Sequence, residues 1–382
     1  MLSNHDLHEL TQFRRRLHKF PEISREEAQT AQSIHEALSS LNPSKIMSGL
    51  GGHGVAAIFD TGIDGPTVLF RAELDALPIT ETTTLDWTSQ IDGKGHLCGH
   101  DGHMTMLLGL GRLLHRQPLA TGRVILMFQP AEEDGSGARA VVADPQYEAL
   151  TPDWAFAIHN EPGLPFGFIA TRDGLINCAS RGMKITLDGK TAHAAEPELA
   201  HSPVRAISTI AQTVQHFAYG DERDDDFKLV TVTHMNIGEP TFGITPGHGS
   251  LYLTLRTAQD DVLASLVDDI TALTHRLCSE DNLSPTIEFC DDFAASVNHP
   301  DAVSVARSAM DQLTIPHGED NLPMRASEDF GIFGHDAKAA MLCLGPGPQS
   351  AALHHPDYDF NDDLIPIGAG LFYQIAVNLL GR

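Results

Sequence analysis

Hydrophobic residues at the start of the chain recur at the spacing of an amphipathic α-helix. They predict a first helix that ends before Pro21, with its apolar face formed by Leu7, Leu10, Phe13 and Leu17. Ser24 and Glu27 stand at the spacing of a capping box, in which each side chain bonds the backbone of the other residue. This pair predicts that a second helix starts at Ser24 and continues to about Leu41.

Short, continuous apolar runs follow, and their length is typical of buried β-strands. The predicted strands are Val55–Phe59, Val68–Arg71, Val124–Phe128, Trp154–Ile158 and Ala340–Leu344. Between the second and third of these strands, the residues after His103 have a helical and largely apolar pattern. Alternation of strands and helices is typical of an α/β domain, so we expect a mixed, largely parallel central sheet.

The middle of the chain has a different order of elements. Its patterns predict, in sequence, the strand Arg181–Leu187, the helix Pro203–Phe217, the strands Leu229–Ile237 and Leu251–Arg256, the helix Asp260–Cys278 and the strand Thr286–Cys290. The order βαββαβ is that of a ferredoxin-like module. We therefore predict an α+β domain over residues 178–293, inserted into an α/β domain made of residues 1–177 and 294–382.

Composition and charge narrow the classes of function. The 382-residue chain has a formal net charge of −26, which argues against binding of nucleic acid or of an anionic membrane surface. Its five cysteines are an odd number spread along the chain, a pattern typical of a reducing compartment. The first residues do not resemble a signal peptide, and no apolar run approaches the length of a membrane span. We therefore expect a cytoplasmic protein that acts on a small molecule.

One short stretch concentrates side chains that bind metals. The residues His96–His103 contain one thiol, three imidazoles and one carboxyl group. This mixture of ligands suits a transition metal such as zinc. Two adjacent carboxylates, Glu132 and Glu133, follow the third predicted strand. Because one of them can ligate a metal while its neighbour moves protons, the two motifs together predict a metallohydrolase.

Candidate ligands also follow the predicted strands. Asp75 comes after the second strand, and Glu132 and Glu133 come after the third. His159 directly follows the fourth strand, and His354 lies in the loop after the last one. The carboxyl ends of the strands in an open α/β sheet lie at one edge, and ligands bind there. We therefore expect these segments to form one site.

Seven sequence blocks, in order, resemble the M20 metallopeptidase family. They are Arg71-Ala-Glu-Leu-Asp75-Ala-Leu-Pro78, Cys98-Gly-His100-Asp-Gly-His103, Gln129-Pro-Ala-Glu-Glu133, His159-Asn160, Ala192-His193-Ala-Ala-Glu-Pro197, Ser327-Glu-Asp-Phe330 and Leu353-His354-His-Pro356. The resemblance extends from Leu17-His18-Lys-Phe-Pro-Glu22 to Asp362, which is nearly the whole chain. The chain is most similar to the amidohydrolase branch, which includes N-acyl-amino-acid, hippurate and auxin-conjugate hydrolases.

This resemblance implies an amidohydrolase with two divalent metal ions per subunit, which cleaves the N-acyl bond of an N-acylated amino acid or a similar small carboxylate. The metal ligands that it implies are Cys98, His100, Glu133, His159 and His354. Glu132 would be the general base, and Asp75 and Asp101 would orient the ligands. The inserted domain would act as a lid and form a homodimer, from which His193 would stabilise the oxyanion in a neighbouring active site.

Several alternatives stay open at this point. Cys98 would be the nucleophile if the chain were a Cys/His hydrolase. A dipeptidase or aminopeptidase of the same family would act on a substrate with a free amine, and a protein without catalysis would only bind metal. The thiolate favours zinc, whereas manganese, cobalt or nickel are the other candidate ions. Arg256 and Arg325 are both candidates for binding a substrate carboxylate.

Two positions depart from the usual pattern of the family. Glu73 stands where the first acid of its block is usually Asp, and His53 stands where Thr is usual. The acyl group, the amino-acid side chain, the stereochemistry and the division of ligands between the ions do not follow from the sequence.

Overall fold

The computed structural model describes residues 1–382, and the chain divides into two compact units. The large unit consists of Met1–Ile176, Ser296–Leu322 and Asp329–Arg382. The small unit consists of Asn177–Ala295 and Pro323–Glu328. Each unit is built around a β-sheet of its own.

The chain forms eight α-helices and 16 strands. The helices are α1 (Asn4–Lys19), α2 (Ala28–Ser39), α3 (His100–Arg116), α4 (Gly137–Ala143), α5 (Val204–Thr213), α6 (Asp260–Asp281), α7 (Pro300–Leu313) and α8 (Ile365–Leu380). The strands are β1 (Lys45–Leu50), β2 (Gly54–Asp60), β3 (Thr67–Glu73), β4 (Arg123–Gln129), β5 (Trp154–Asn160), β6 (Ile169–Ala170), β7 (Gly174–Asn177), β8 (Ala179–Asp188), β9 (Ala192–His193), β10 (Lys228–Ile237), β11 (Ile244–Thr245), β12 (His248–Thr257), β13 (Ser284–Phe293), β14 (Ser296–Asn298), β15 (His317–Gly318) and β16 (Lys338–Leu344).

The large unit contains a mixed sheet with the strand order β1-β2-β4-β3-β5-β16-β6-β15. Its central strands β4, β3, β5 and β16 are parallel neighbours, whereas β1 and β2 join antiparallel at one side. The buried helix α3 packs against β3, α1 and α8. The prediction of an α/β fold with a mixed sheet is confirmed. Strand β1 has no continuous apolar run and was not predicted.

The predicted capping box before α2 is wrong. The helix begins at Ala28, Glu27 is its N-cap residue, and no side chain caps it. The Ser24 hydroxyl instead donates to Asp75 Oδ2 at 2.7 Å. Glu27 Oε1 accepts the backbone N–H of Ala131 at 2.8 Å. Both side chains therefore bind segments that are distant in sequence, which a local spacing rule does not detect.

Helix α8 together with the turn that precedes it forms the stretch Asp362–Leu380, which has the length and composition of a membrane span. The expectation that no apolar run approaches this length is therefore wrong. Half of the stretch is buried inside the structure, and α8 packs against α3 and α7. Phe372 of α8 lies against Phe70 of β3, with ring centroids 4.9 Å apart. The apolar face of this helix thus forms part of the core of the large unit.

The small unit contains an antiparallel sheet with the strand order β10-β12-β8-β13. Helices α5 and α6 pack against its strands, and the order βαββαβ with this strand arrangement is ferredoxin-like. The segment Pro323–Glu328 also belongs to this unit, although the sequence assigned it to the α/β domain. It does so because the Cys178 N–H donates to the carbonyls of Met324 and Ala326, each at 3.2 Å.

Candidate metal centre

The parallel strands of the large unit bring candidate ligands to one edge of its sheet. Because β4, β3, β5 and β16 are neighbours with the same direction, their carboxyl ends lie side by side. Asp75 follows β3, and Glu132 and Glu133 follow β4. His159 is the penultimate residue of β5, and His354 lies in the loop after β16. The structure therefore brings together the segments that the strand ends grouped.

Gly99 sets the turn that places Cys98 and His100 at this edge. It precedes α3 with a φ of 94°, which residues with a side chain rarely adopt. A Cβ atom at Gly99 would lie 2.0 Å from Asn160 Oδ1 and 2.8 Å from the Tyr358 hydroxyl. Glycine is thus required for both the backbone angle and the space, and Cys98 and His100 are buried on either side of it.

Sulfur, nitrogen and oxygen donors from separate segments converge here. Cys98 Sγ lies 3.5 Å from His159 Nε2. The Glu133 carboxylate lies between two imidazoles, with Oε1 3.8 Å from His100 Nε2 and Oε2 3.6 Å from His354 Nε2. Donors around one tetrahedral zinc ion are roughly 3.3–3.6 Å apart. The observed separations are close to those that shared metal ions would require.

The donor set fits two divalent cations. His100 Nε2 is buried without a hydrogen-bond partner, and a metal ion bound in place of its proton would give this nitrogen a partner. Five groups of side chains have all their donor atoms within 4.8 Å of one another, and three of these groups consist only of predicted ligands and Glu132. They are Cys98 with His100 and His159, Cys98 with Glu133 and His354, and His100 with Glu132 and Glu133. Since these groups share members, they describe adjacent positions for two ions rather than separate sites.

The pKa shifts of His100 and Cys98 indicate a surplus of negative charge around these two donors. Burial lowers the pKa of His100, but the surrounding carboxylates, Glu73 and Asp75 foremost, outweigh it and raise this pKa to about 10. Burial, followed by the nearby Glu133 carboxylate, raises the pKa of the Cys98 thiol well above its usual value. A neutral thiol is a weak nucleophile, so this environment argues against a Cys/His hydrolase. A divalent cation would balance the carboxylates and favour the thiolate.

Asp75 holds two of the predicted ligands in place. Its backbone carbonyl accepts Nδ1–H of His100 at 2.9 Å, which leaves Nε2 to face the other donors. Its Oδ2 atom accepts the backbone N–H of Glu133 at 3.0 Å and the Ser24 hydroxyl at 2.7 Å. Burial raises the pKa of Asp75, but the interactions with His100, Glu133 and Ser24 outweigh burial and hold this pKa below its usual value. Asp75 is therefore a buried carboxylate that orients both a nitrogen and an oxygen donor.

Arg71 of β3 is completely buried and joins three segments around the centre. Its guanidinium pairs with Glu73, donates from Nε to Gln129 Oε1 at 2.8 Å, and donates from Nη2 to Asp329 at 2.6 Å. Asp329 also accepts the backbone N–H of Ala138 at 2.8 Å. The buried cation thus has carboxylate partners on two sides, which compensates for its desolvation. The sequence did not predict this network, because Arg71 and Asp329 are 258 positions apart.

Glu73, which stands where Asp is usual, also binds His103. His103 Nδ1 donates to Glu73 Oε2 at 2.7 Å, and its Nε2 accepts the backbone N–H of Asn160 at 3.1 Å. The His103 ring lies edge-on to His159, with ring centroids 4.7 Å apart. Both nitrogens of His103 are therefore engaged, and this histidine supports a ligand instead of being one.

The Asp101 carboxylate makes no hydrogen bond or ion pair with any of the five predicted ligands. Its Oδ2 atom accepts Nδ1–H of His18 at 2.9 Å and lies 3.0 Å from Arg14 Nε. It follows His100 on α3, and consecutive side chains on a helix point roughly 100° apart. For this reason Asp101 faces α1 while His100 faces the other donors. These contacts indicate that Asp101 joins α3 to α1. No contact of its carboxylate supports the predicted role in orienting the metal ligands.

His193 belongs to the small unit. It lies exposed on β9, where its Nδ1 atom accepts the backbone N–H of Ala195 at 3.1 Å. It is paired across the two-stranded ladder with Ile244 of β11. No carboxylate binds this imidazole, so it is available to an external group, and its catalytic role stays a prediction.

Comparison with known proteins identifies the family. Residues 69–378 match the sequence profile of peptidase family M20/M25/M40. The chain belongs to the M20 peptidase family. It is 33% identical over 379 residues to the IAA-amino acid hydrolase ILR1-like 5 of Arabidopsis thaliana, and the match covers 96% of this chain and 86% of the relative. It is 28% identical over 380 residues to the hippurate hydrolase of Campylobacter jejuni, with 97% of both chains covered.

A solved structure of a Bacillus subtilis M20 protein, described as a dinuclear metal binding peptidase, has the same fold. The match has a TM-score of 0.83 at 25% identity and covers 99% of both chains. The predicted family is thus confirmed, and this M20 chain is a metal-dependent hydrolase of amide bonds. Its own donor groups support two divalent metal ions.

Proposed function

We propose that this M20 enzyme hydrolyses the amide bond of an N-acylated amino acid, with Glu132 as the general base. The position of Glu132 carries the proposal. Its Oε2 atom lies 4.0 Å from His100 Nε2. One donor atom each of Glu132, His100 and Glu133 lies within 4.8 Å of the other two. The names of the plant and Campylobacter relatives, which specify amino-acid conjugates and hippurate, support the substrate class.

Different residues of the metal centre have different roles in amide hydrolysis. Divalent ions held by these ligands would polarise the amide carbonyl and lower the pKa of water. Glu132 takes a proton from the attacking water and delivers it to the nitrogen of the leaving amine. Asp75 keeps His100 and Glu133 oriented throughout the reaction. The Cys98 sulfur favours zinc as the natural metal, in preference to manganese, cobalt or nickel.

Amine release from a panel of substrates tests this function. The panel contains N-acetyl, N-benzoyl and longer N-acyl amino acids with dipeptides alongside, and metal content is measured by elemental analysis. Wild type should turn over at least one N-acyl amino acid, and chelation or Glu132→Gln should abolish the turnover. The matched control is Glu148→Gln, which changes an exposed glutamate and should retain full activity.

Other outcomes of the panel would contradict the proposal in defined ways. Exclusive hydrolysis of dipeptides would identify a dipeptidase or aminopeptidase instead. Metal retention without any turnover would favour a protein that only binds metal. Turnover that survives both chelation and Glu132→Gln would refute the proposed chemistry altogether.

We further propose that the active enzyme is a homodimer in which His193 stabilises the oxyanion. Strand β10 is at one edge of the sheet in the small unit, and most of its side chains from Thr231 onward are exposed. An open edge strand is a site for pairing with another chain. Light scattering should give the mass of two chains, and His193→Ala should lower kcat without loss of metal. His201→Ala is the control, and a fully active monomer would refute the proposal.

Arg256 is our candidate for binding the substrate carboxylate, in preference to Arg325. The Nε atom of Arg325 already donates to Glu222 at 2.9 Å. Arg256 donates only to neutral oxygens, the Arg325 carbonyl at 2.6 Å and the Ser327 hydroxyl at 2.8 Å. Arg256→Ala should raise KM for an N-acyl amino acid but not for its carboxamide, whereas Arg325→Ala should affect neither. An equal effect on both substrates would contradict this assignment.

A further inference from the structure

A short segment between α1 and α2 binds the loop that carries Glu132. Three residues of this segment make the contacts: Ser24, Arg25 and Glu27. Ser24 donates to Asp75 at 2.7 Å, and Arg25 Nε lies 3.0 Å from Asp134 Oδ2. The third contact is the 2.8 Å hydrogen bond from the Ala131 backbone N–H to Glu27 Oε1. Ala131 and Asp134 are the sequence neighbours of Glu132 and Glu133. Asp75 is distant in sequence but accepts the Glu133 backbone N–H, so all three contacts reach groups that hold this loop.

Ala131 has an unusual backbone conformation. Its φ is 50°, in the left-handed region that is unfavourable for a residue with a Cβ atom. Ala131 is buried and directly precedes Glu132, so its backbone angles decide the direction in which Glu132 and Glu133 leave β4. Its carbonyl accepts the backbone N–H of Gly137 at 2.9 Å. The conformation is thus held on the carbonyl side by the loop itself and on the N–H side by Glu27.

One oxygen atom of Glu27 accepts hydrogen bonds from two residues whose backbones are in the left-handed region. Besides Ala131, Oε1 accepts the backbone N–H of Arg25 at 2.9 Å, and Arg25 has a φ of 69°. The Glu27 side chain is completely buried, and its other oxygen has no hydrogen-bond partner. A buried N–H without an acceptor is unfavourable, so loss of Glu27 would favour other conformations at Ala131. Glu27 does not cap α2, which leaves these contacts as the reason for a buried carboxyl group at this position.

We infer that Glu27 is a positioning residue for the general base: its carboxylate fixes the left-handed turn at Ala131 and thereby the direction of the Glu132 side chain. This inference rests on the proposed function, because it assumes that Glu132 moves protons. Displacement of a catalytic group by about 1 Å costs on the order of 100-fold in rate. The effect is on the chemical step, so kcat should change while KM does not.

Steady-state kinetics of Glu27 variants on the best N-acyl amino acid of the panel test the inference. Glu27→Ala should lower kcat by about 10- to 100-fold, with KM within about 3-fold of wild type. Glu27→Gln keeps an oxygen acceptor at the same reach and should restore most of kcat. Ala131→Gly in the Glu27→Ala background should also regain activity, because glycine adopts a positive φ without strain. Glu26→Ala removes the exposed neighbour, which pairs with Lys94, and is the matched control.

Two further measurements and one substitute variant keep the test decisive. Metal content and thermal unfolding are recorded for every variant, so that a misfolded protein is not taken for a slow one. If Glu27→Ala does not fold, Glu27→Asp replaces it, since it keeps the charge but shortens the reach by one methylene group. Wild-type kcat in a folded Glu27→Ala, or no gain from Ala131→Gly, would overturn the inference. Full activity of Glu132→Gln would instead overturn the proposed function itself.

Discussion

Replacement of Asp75 with asparagine tests how far metal affinity depends on a residue that is not a ligand. Oδ2 of Asp75 accepts the Ser24 hydroxyl at 2.7 Å and the Glu133 N–H at 3.0 Å, and Oδ1 lies 3.6 Å from His100 Nδ1. Asparagine keeps the shape of the side chain but removes its charge. A hydrogen bond to a charged group contributes about 1.5–3 kcal/mol, against about 0.5–1.5 kcal/mol for a neutral pair, so the change removes about 1–2 kcal/mol.

Zinc affinity should therefore fall about 10-fold, and by up to about 100-fold if Glu133 or His100 also turns away. Competition with a chromophoric chelator measures the affinity of wild type, Asp75→Asn and Ser24→Ala. Ser24→Ala is the matched control, because it removes one hydrogen bond and leaves the carboxylate; its loss should be smaller. Thermal unfolding of the metal-free proteins establishes that each variant folds. Wild-type affinity in a folded Asp75→Asn would refute the reasoning that Asp75 orients the ligands.

Three further outcomes are expected. Zinc binding near pH 7 should release protons, because the pKa of His100 is raised to about 10 and the ion must displace the His100 proton. Calorimetry in buffers of different ionisation enthalpy measures the number of protons released. Binding heats that do not depend on the buffer would contradict this prediction. Burial lowers the pKa of His18, but Asp101 outweighs burial and raises this pKa from 6.5 to about 9. His18 should thus contribute about 3 kcal/mol to the free energy of unfolding, and this contribution is fully present below pH 6.5 and lost as pH rises through about 9. Urea unfolding of wild type and His18→Gln across this pH range measures the contribution. A difference in unfolding free energy between the two proteins that does not change with pH would exclude it. Gly99→Ala should lower the melting temperature sharply and impair zinc binding, because the new Cβ atom would lie 2.0 Å from Asn160 Oδ1 and the backbone φ at this position is 94°. A melting temperature equal to that of wild type would argue against the steric reasoning.

The position of the metal centre could be predicted from local patterns. A buried strand is a continuous apolar run, and the polar residues that follow such runs lie at the carboxyl edge of a parallel sheet. This reasoning groups Asp75, Glu133, His159 and His354 from the amino-acid sequence alone. It succeeds because the neighbouring strands β4, β3, β5 and β16 are all parallel. An antiparallel strand among them would have moved one ligand to the opposite edge.

The supporting contacts could not be predicted in the same way. Ser24 and Glu27 have the spacing of a capping box, yet their side chains bind Asp75 and Ala131. A spacing rule compares a residue only with its neighbours in sequence, whereas these partners are 51 and 104 positions away. Asp101 shows the same limit, because the rotation of α3 turns it to His18 and away from the other donors.

The amino-acid sequence alone defines the chemistry of this protein: the kinds of donor atoms, the carboxylate next to a ligand, the alternation of strands and helices, and the family. These are properties of residue types and of short spacings, and local structure follows from them directly. The pairing of each ligand with its supporting side chain, such as His100 with Asp75 and the turn at Ala131 with Glu27, is established only when the chain folds. Those pairs form because burial leaves each polar group to find a partner inside the protein, and packing of distant segments selects that partner.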